Sequence, residues 1–209
     1  MRILAQADVK SVPLPPAPPA NAQQQTPSTE SLAWVQKHIG TWPEKTRQLA
    51  ARLVTKYGPP ADVAARQITW YANGPWKRTA LYRDEVQHNF ASSHKDVLEQ
   101  TINYRVPTDK LVALAEFNGS IVVNRTRGEL SSTSDGEDTN FLALNVADDV
   151  IKGDRDPDEA RTYFAQIVRA RMIREPEAYL QGLKFKPAAD TAEADEVAPL
   201  IKHMGAGNP

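Results

Sequence analysis

Residues 68–106, ITWYANGPWKRTALYRDEVQHNFASSHKDVLEQTINYRV, decide the fold of this chain. Two runs rich in aromatic and β-branched residues, Ile68 to Ala72 and Trp76 to Val86, flank the breaker Asn73-Gly74-Pro75, the pattern of antiparallel strands joined by a turn. Asn-Gly favours a two-residue hairpin, but Pro75 would then stand where the closing pair needs an amide hydrogen. A loop of about three to five residues is therefore expected. From Leu98 the alternation is regular: Leu98, Ile102, Tyr104 and Val106 point one way, and Glu99, Thr101, Asn103 and Arg105 the other. One face of this sheet is buried and one is polar, as antiparallel sheets allow. Between these strands, His88 to His94 reads as a polar loop.

Helical patterns bracket the sheet. On the N-terminal side, Leu32, Val35 and Ile39 have helical spacing and stop at Gly40. Thr41-Trp42-Pro43-Glu44 reads as a capping box for a second helix that carries Leu49, Leu53 and Tyr57 and ends at Gly58-Pro59-Pro60. Trp34 and Trp42 are expected to pack within this helix pair. On the C-terminal side come a short helix from Asp109 to Phe117, a strand from Ser120 to Leu130 and a polar loop, SSTSDGED. Phe141 to Ile151 is helical, and Asp156-Pro157-Asp158-Glu159 starts another helix with a cap, a first-turn proline and acidic residues against the helix dipole. A last helical turn is expected over Pro176 to Leu180. Consecutive strands with helices at both ends favour an α+β layer fold, with an N-terminal helix pair, a mainly antiparallel sheet of about four strands, and C-terminal helices.

The folded body is expected over residues 28–186. Residues 1–27 form a proline- and glutamine-rich leader that favours extended polyproline conformation, and residues 187–209 an acidic, alanine-rich tail; both are expected to be disordered. Within that tail Val197 to Ile201 has the makings of a short docking helix. Apolar residues make up 41% of the chain and charged residues 24%, ordinary for a soluble globular protein. A net charge of −1 supplies no general field for nucleic acid, so a small molecule or a protein is the expected partner. The lack of cysteine removes disulfides, thiolate metal sites and thiol nucleophiles. No run reaches the roughly 18 apolar residues of a membrane span. The cytoplasm is the default compartment, while Ala20-Asn21-Ala22 would suit export if the true start lies upstream.

Residues 68–100 also concentrate the candidate chemistry, holding two of the four tryptophans and two of the four histidines. Asp84, His88, His94 and Asp96 offer imidazole and carboxylate ligands for a divalent transition metal, with Glu85 and Glu99 nearby. The spacing is H-x5-H across NFASS, which matches no metal motif, and loop hydrogen bonding explains the same histidines. Alternation along Trp76 to Arg83 places Trp76, Arg78, Ala80 and Tyr82 on one face, where Arg78 between two aromatics suits a planar ligand. Burial of that face is the plainer reading. Lys77 and Arg83, with Arg105, Arg125 and Arg127, would make a modest cationic patch on the opposite face. Asp154, Asp156, Asp158 and Glu159 mimic a calcium loop but lack its glycine and terminal glutamate, and helix capping accounts for them. GxSxG, the P-loop and GxGxxG are absent from the sequence.

The segments KYGPP, WYANGPWKRT, HNF, LEQTINY and FLALNVADD resemble stretches of bacterial proteins of unassigned function. The resemblance spans Trp34 to Phe185 and brings no activity, cofactor or catalytic residue with it. The residues themselves favour a non-catalytic domain binding a small ligand or protein partner through Trp76, Lys77, Arg78, His88 and His94. Two alternatives stand beside it: a metal-assisted hydrolase built on His88, His94 and nearby carboxylates, and an assembly part whose interface is the helix pair.

Overall fold

A computed structural model describes residues 29–171 and 177–196. The expected leader and the apolar patch Val197 to Ile201 lie outside the described residues. The helix pair is α1 (Thr29–His38) and α2 (Glu44–Tyr57). The strands are β1 (Asp62–Val63), β2 (Gln67–Asn73), β3 (Trp76–Phe90), β4 (Ser92–Asn103), β5 (Ile121–Asn124) and β6 (Glu129–Ser134). A 3-10 turn at Thr108–Lys110 leads into α3 (Leu111–Phe117), and α4 (Glu137–Lys152), α5 (Pro157–Ala170) and α6 (Ala178–Gln181) follow the sheet.

The strands form one antiparallel sheet in the order β1-β2-β3-β4-β6-β5. It has six strands where about four were expected. Two-residue β1 adds an edge, and the expected strand from Ser120 to Leu130 divides at a turn into β5 and β6. β6 takes in the SSTS half of the SSTSDGED stretch read as a loop, because Ser131, Ser132 and Ser134 are buried and their backbones complete the ladder with β4.

Both helix groups cover one face of the sheet. The row Ile68–Leu81–Leu98 meets the first group, packing against Val35, Ile39, Trp42, Leu49, Leu53 and Val54. Further along the same face, Ile102 and Leu130 meet Leu142, Leu144 and Val146 of α4. α4 is buried along most of its length, because α3, α5 and α6 enclose the sides that the sheet does not. Asn145 on α4 fixes α6: its amide donates to the carbonyls of Tyr179 and Gly182 and accepts from the Lys184 amide.

Several local expectations change. The β2–β3 turn is two residues long, because the central pair is Gly74-Pro75 and not Asn73-Gly74. Gly74 takes φ +63° at the first turn position, and proline at the second loses no ladder hydrogen bond. No side chain caps α2, whose N-cap is Pro43, so the Thr41–Glu44 box does not form. Trp42 is buried as expected, but Trp34 is 49% exposed and lies against His38 instead of the neighbouring helix. The Asp156/Glu159 box does form, with Pro157 in the first turn of α5.

Past the expected end of the body, residues 187–196 continue as an extended segment over the β5–β6 turn. Thr191 is buried and donates to the Gly128 carbonyl, and Glu193 pairs with Arg125 and Arg105. Gly128 must be glycine here: its φ is +60°, and a Cβ would stand 2.1 Å from the Thr191 backbone.

Candidate functional site

The long β3–β4 hairpin divides into two regions at a register shift. Leu81 pairs with Leu98, but the next pair is Val86 with Asp96, so β3 carries three more residues than β4 across the interval. A bulge of this kind breaks the ladder and bends the strand. Beyond it the pairing resumes as an outer arm, Val86 to Asp96, closed at Ala91 with φ +56°. Phe90 anchors the tip by packing against Phe117 of α3 and Phe164 of α5. The segment His88 to His94, expected as a loop, is therefore paired strand.

This pairing brings the two histidines together. His88 stands directly opposite His94, with ring centroids 5.0 Å apart. Asp96, two residues beyond His94, projects from the same face of β4. Its carboxylate is almost fully buried and lies between the rings: Oδ2 is 3.2 Å from His88 Nδ1, and Oδ1 is 3.1 Å from His94 Nε2. His88, His94 and Asp96 each offer a ligand atom, and these atoms all fall within 4.8 Å of one another. His94 Nδ1 lies 2.9 Å from the Ser92 carbonyl. A carbonyl only accepts, so Nδ1 carries the hydrogen and Nε2 of the neutral ring presents its lone pair toward Asp96. Once protonated, Nε2 donates to Asp96, and this hydrogen bond of the charged ring raises the His94 pKa above its ordinary value, against the opposing effect of burial.

Ser120, just before β5, donates to Asp96 Oδ2 at 2.5 Å and sits 3.2 Å from His88 Nδ1. These residue types are those of a hydrolytic triad, but the connections are not. In a triad the imidazole bridges serine and carboxylate through its two nitrogens. Here serine meets the carboxylate directly, and one nitrogen of His88 faces both. Ser120 serves instead to orient Asp96.

Asp84 does not join the cluster. It lies within the bulge and pairs with Arg66, leaving Asp96 as the carboxylate of the site. The proposed aromatic-basic surface also changes. Trp76 is 1% exposed, stacks on Phe141 and donates from Nε1 to Glu137 at 2.7 Å, so its ring offers nothing to a ligand from solvent. Next to the turn, it leaves the face of Arg78 and joins the helix-covered face. Arg78 bonds Glu99 and Thr101 and pairs with Glu129, which also holds Lys77 at 3.0 Å. Burial, then Glu99, push the pKa of neighbouring Tyr82 up to about 12. Arg105 and Arg125, expected in the same cationic patch, are matched by Glu193.

Glu137 is the polar centre that the sequence did not reveal. In the first turn of α4, it accepts from Lys56 and Tyr57 of α2, Trp76 of β3 and Gln100 of β4. Burial alone would raise its pKa, but the hydrogen bonds from Lys56, Tyr57 and Trp76 hold it below the ordinary carboxylate value. Its only sequence signal is an acidic residue at a helix start, which surface capping explains equally well. Ser120 carried no more signal, since it reads only as the start of the expected strand from Ser120 to Leu130.

Beside His94 a cleft of about 550 Å³ opens between α2 and the outer arm, with Lys45, Arg52, Glu85, Lys95 and Asp135 among its lining residues. Among the described residues no helix is long and apolar enough to cross a membrane. No family model, curated protein or solved structure matches this chain.

Proposed function

We propose that this protein holds a divalent transition metal at His88, His94 and Asp96 and is a metal-assisted hydrolase. The observation that carries the reading is the convergence of three candidate ligands, two imidazoles and a carboxylate, in the outer arm. Bonds of about 2.0–2.1 Å to a tetrahedral ion set neighbouring ligand atoms about 3.3 Å apart. The Asp96 carboxylate presents one oxygen to each ring, at 3.2 Å from His88 and 3.1 Å from His94, and one ligand atom from each of the three residues falls within 4.8 Å of the others. The Ser92 carbonyl behind His94 and the Ser120 hydroxyl on Asp96 are outer partners of the kind that orient metal ligands. Held by these three residues, a divalent ion would supply an acidified water for hydrolysis of an ester or phosphoryl bond near neutral pH. Ligand binding through Trp76 and Arg78 loses its support, because the first is in the core and the second is held by carboxylates.

Elemental analysis and calorimetry on protein purified without a histidine tag test the metal. About one equivalent of zinc is expected, lost on His88→Ala with His94→Ala. Binding below a tenth of an equivalent, or unchanged in the double variant, rejects the site. A second reading, assembly through the helix pair, is favoured by Trp34, half exposed on α1. A monomeric mass in sedimentation, independent of concentration, rejects it.

A further inference from the structure

We infer that the cleft beside His94 binds the phosphoryl group of a small phosphomonoester, which names the substrate class of the metal site and rests on that reading. The argument starts from which cations have partners. Across the molecule, Arg47, Lys56, Arg66, Lys77, Arg78, Arg105, Arg125, Lys152, Arg155 and Arg171 are each paired with a carboxylate. Other described cations, among them Lys37, Arg83, Arg127 and Arg169, also lack such a pair, but Lys45, Arg52 and Lys95, likewise without one among the described residues, are gathered in this one cleft with His94.

The acids facing them are Glu85 and Asp135, and Asp135 already accepts from Thr139 at 3.1 Å. With a dication held by His88, His94 and Asp96, three cations and that ion stand against Glu85, Asp135 and Asp96. The surplus is two positive charges. A phosphomonoester carries about −1.5 to −2 near neutral pH, which a single carboxylate does not match. The guanidinium of Arg52 offers the paired donors that suit a phosphoryl group. A volume of about 550 Å³ suits a small molecule and not a polymer. One wall is α2 and the other the outer arm, so a phosphoryl oxygen reaching the ion from the cleft would pass His94.

Calorimetry on the full chain, zinc-loaded and metal-free, with phenyl phosphate and with benzoate as probes, tests this. Zinc-loaded protein should bind phenyl phosphate at least tenfold more tightly than benzoate. The variant Lys45→Gln/Arg52→Gln/Lys95→Gln should keep its zinc affinity within about twofold and lose at least tenfold in phenyl phosphate affinity. Equal affinity for the two probes, or full phenyl phosphate affinity in the triple variant, overturns the phosphoryl assignment and leaves the metal reading intact. Failure to bind zinc overturns the metal reading. Phenyl phosphate binding to metal-free protein, lost in the triple variant, would then still uphold the cationic, anion-binding cleft, and its absence would overturn both.

Discussion

The inner and outer halves of the β3–β4 hairpin carry similar residue types and use them in opposite ways. In the inner half, from Trp76 to Leu81 and from Leu98 to Asn103, the indole of Trp76, the guanidinium of Arg78 and the amide of Gln100 all end on carboxylates. The carboxylates are Glu137 of α4, Glu129 of β6 and Glu99 of β4 itself, so the polar groups fasten the two strands to each other, to α4 and to β6. In the outer arm, His88, His94 and Asp96 end on one another, and the ring nitrogen of His94 that its carbonyl partner leaves free points at a buried carboxylate. Groups that complete their bonding within the fold stabilise it. Groups that converge with ligating capacity left over are what a bound ion requires.

The largest effect expected from this contrast is in the inner half. Trp76→Ala removes a buried ring and its contact with Phe141 and should cost about 4 kcal/mol in urea unfolding. A loss below about 1 kcal/mol would show that the inner half is not fastened as described.

Glu137→Gln should cost about 3 kcal/mol at pH 7, since it leaves Lys56 without its partner and mismatches several buried donors. The pH dependence has a definite sign. The folded-state pKa of Glu137 is lowered from its ordinary value of 4.5, so its contribution is fully present above that value and is lost as pH falls through the folded value. The stability gap between wild type and Glu137→Gln should therefore close on acidification below about pH 4. A gap that widens with acid would contradict the assignment.

In the outer arm the effect should come from added metal. Zinc at a hundredfold excess over its Kd should raise wild-type stability by about 2.7 kcal/mol and leave His88→Ala/His94→Ala unmoved. The smallest change belongs to His94→Ala without metal. It removes a neutral ring whose lone pair faces Asp96, while Ser120 and His88 still contact that carboxylate, and should shift stability by less than about 1 kcal/mol. If that variant instead unfolded the chain, the arm would be as structural as the inner half and the contrast would fail.

What the sequence determined by itself was the layered α+β design and the bounds of a few elements, such as the end of α2, the run of β2 and the start of α5. Alternation from Leu98 onward identified the buried face, and the stop at Gly58-Pro59-Pro60 and the cap at Asp156 are local chemistry that operates before any tertiary contact forms. The serines of β6 and the polar outer arm were read as loops because strand membership there comes from backbone pairing with a neighbour, not from apolar side chains. Histidines 88 and 94 and Asp96 were legible as candidates by type. That they meet, and that Asp84 does not join them, depends on the bulge between Leu81 and Val86, which resets the register of one strand against another. Glu137 was not legible at all, because its donors come from α2, β3 and β4, as far as 81 residues away in the chain. Tertiary structure decided these points because a carboxylate's partners, and a strand's register, are properties of neighbours that the chain brings together only on folding.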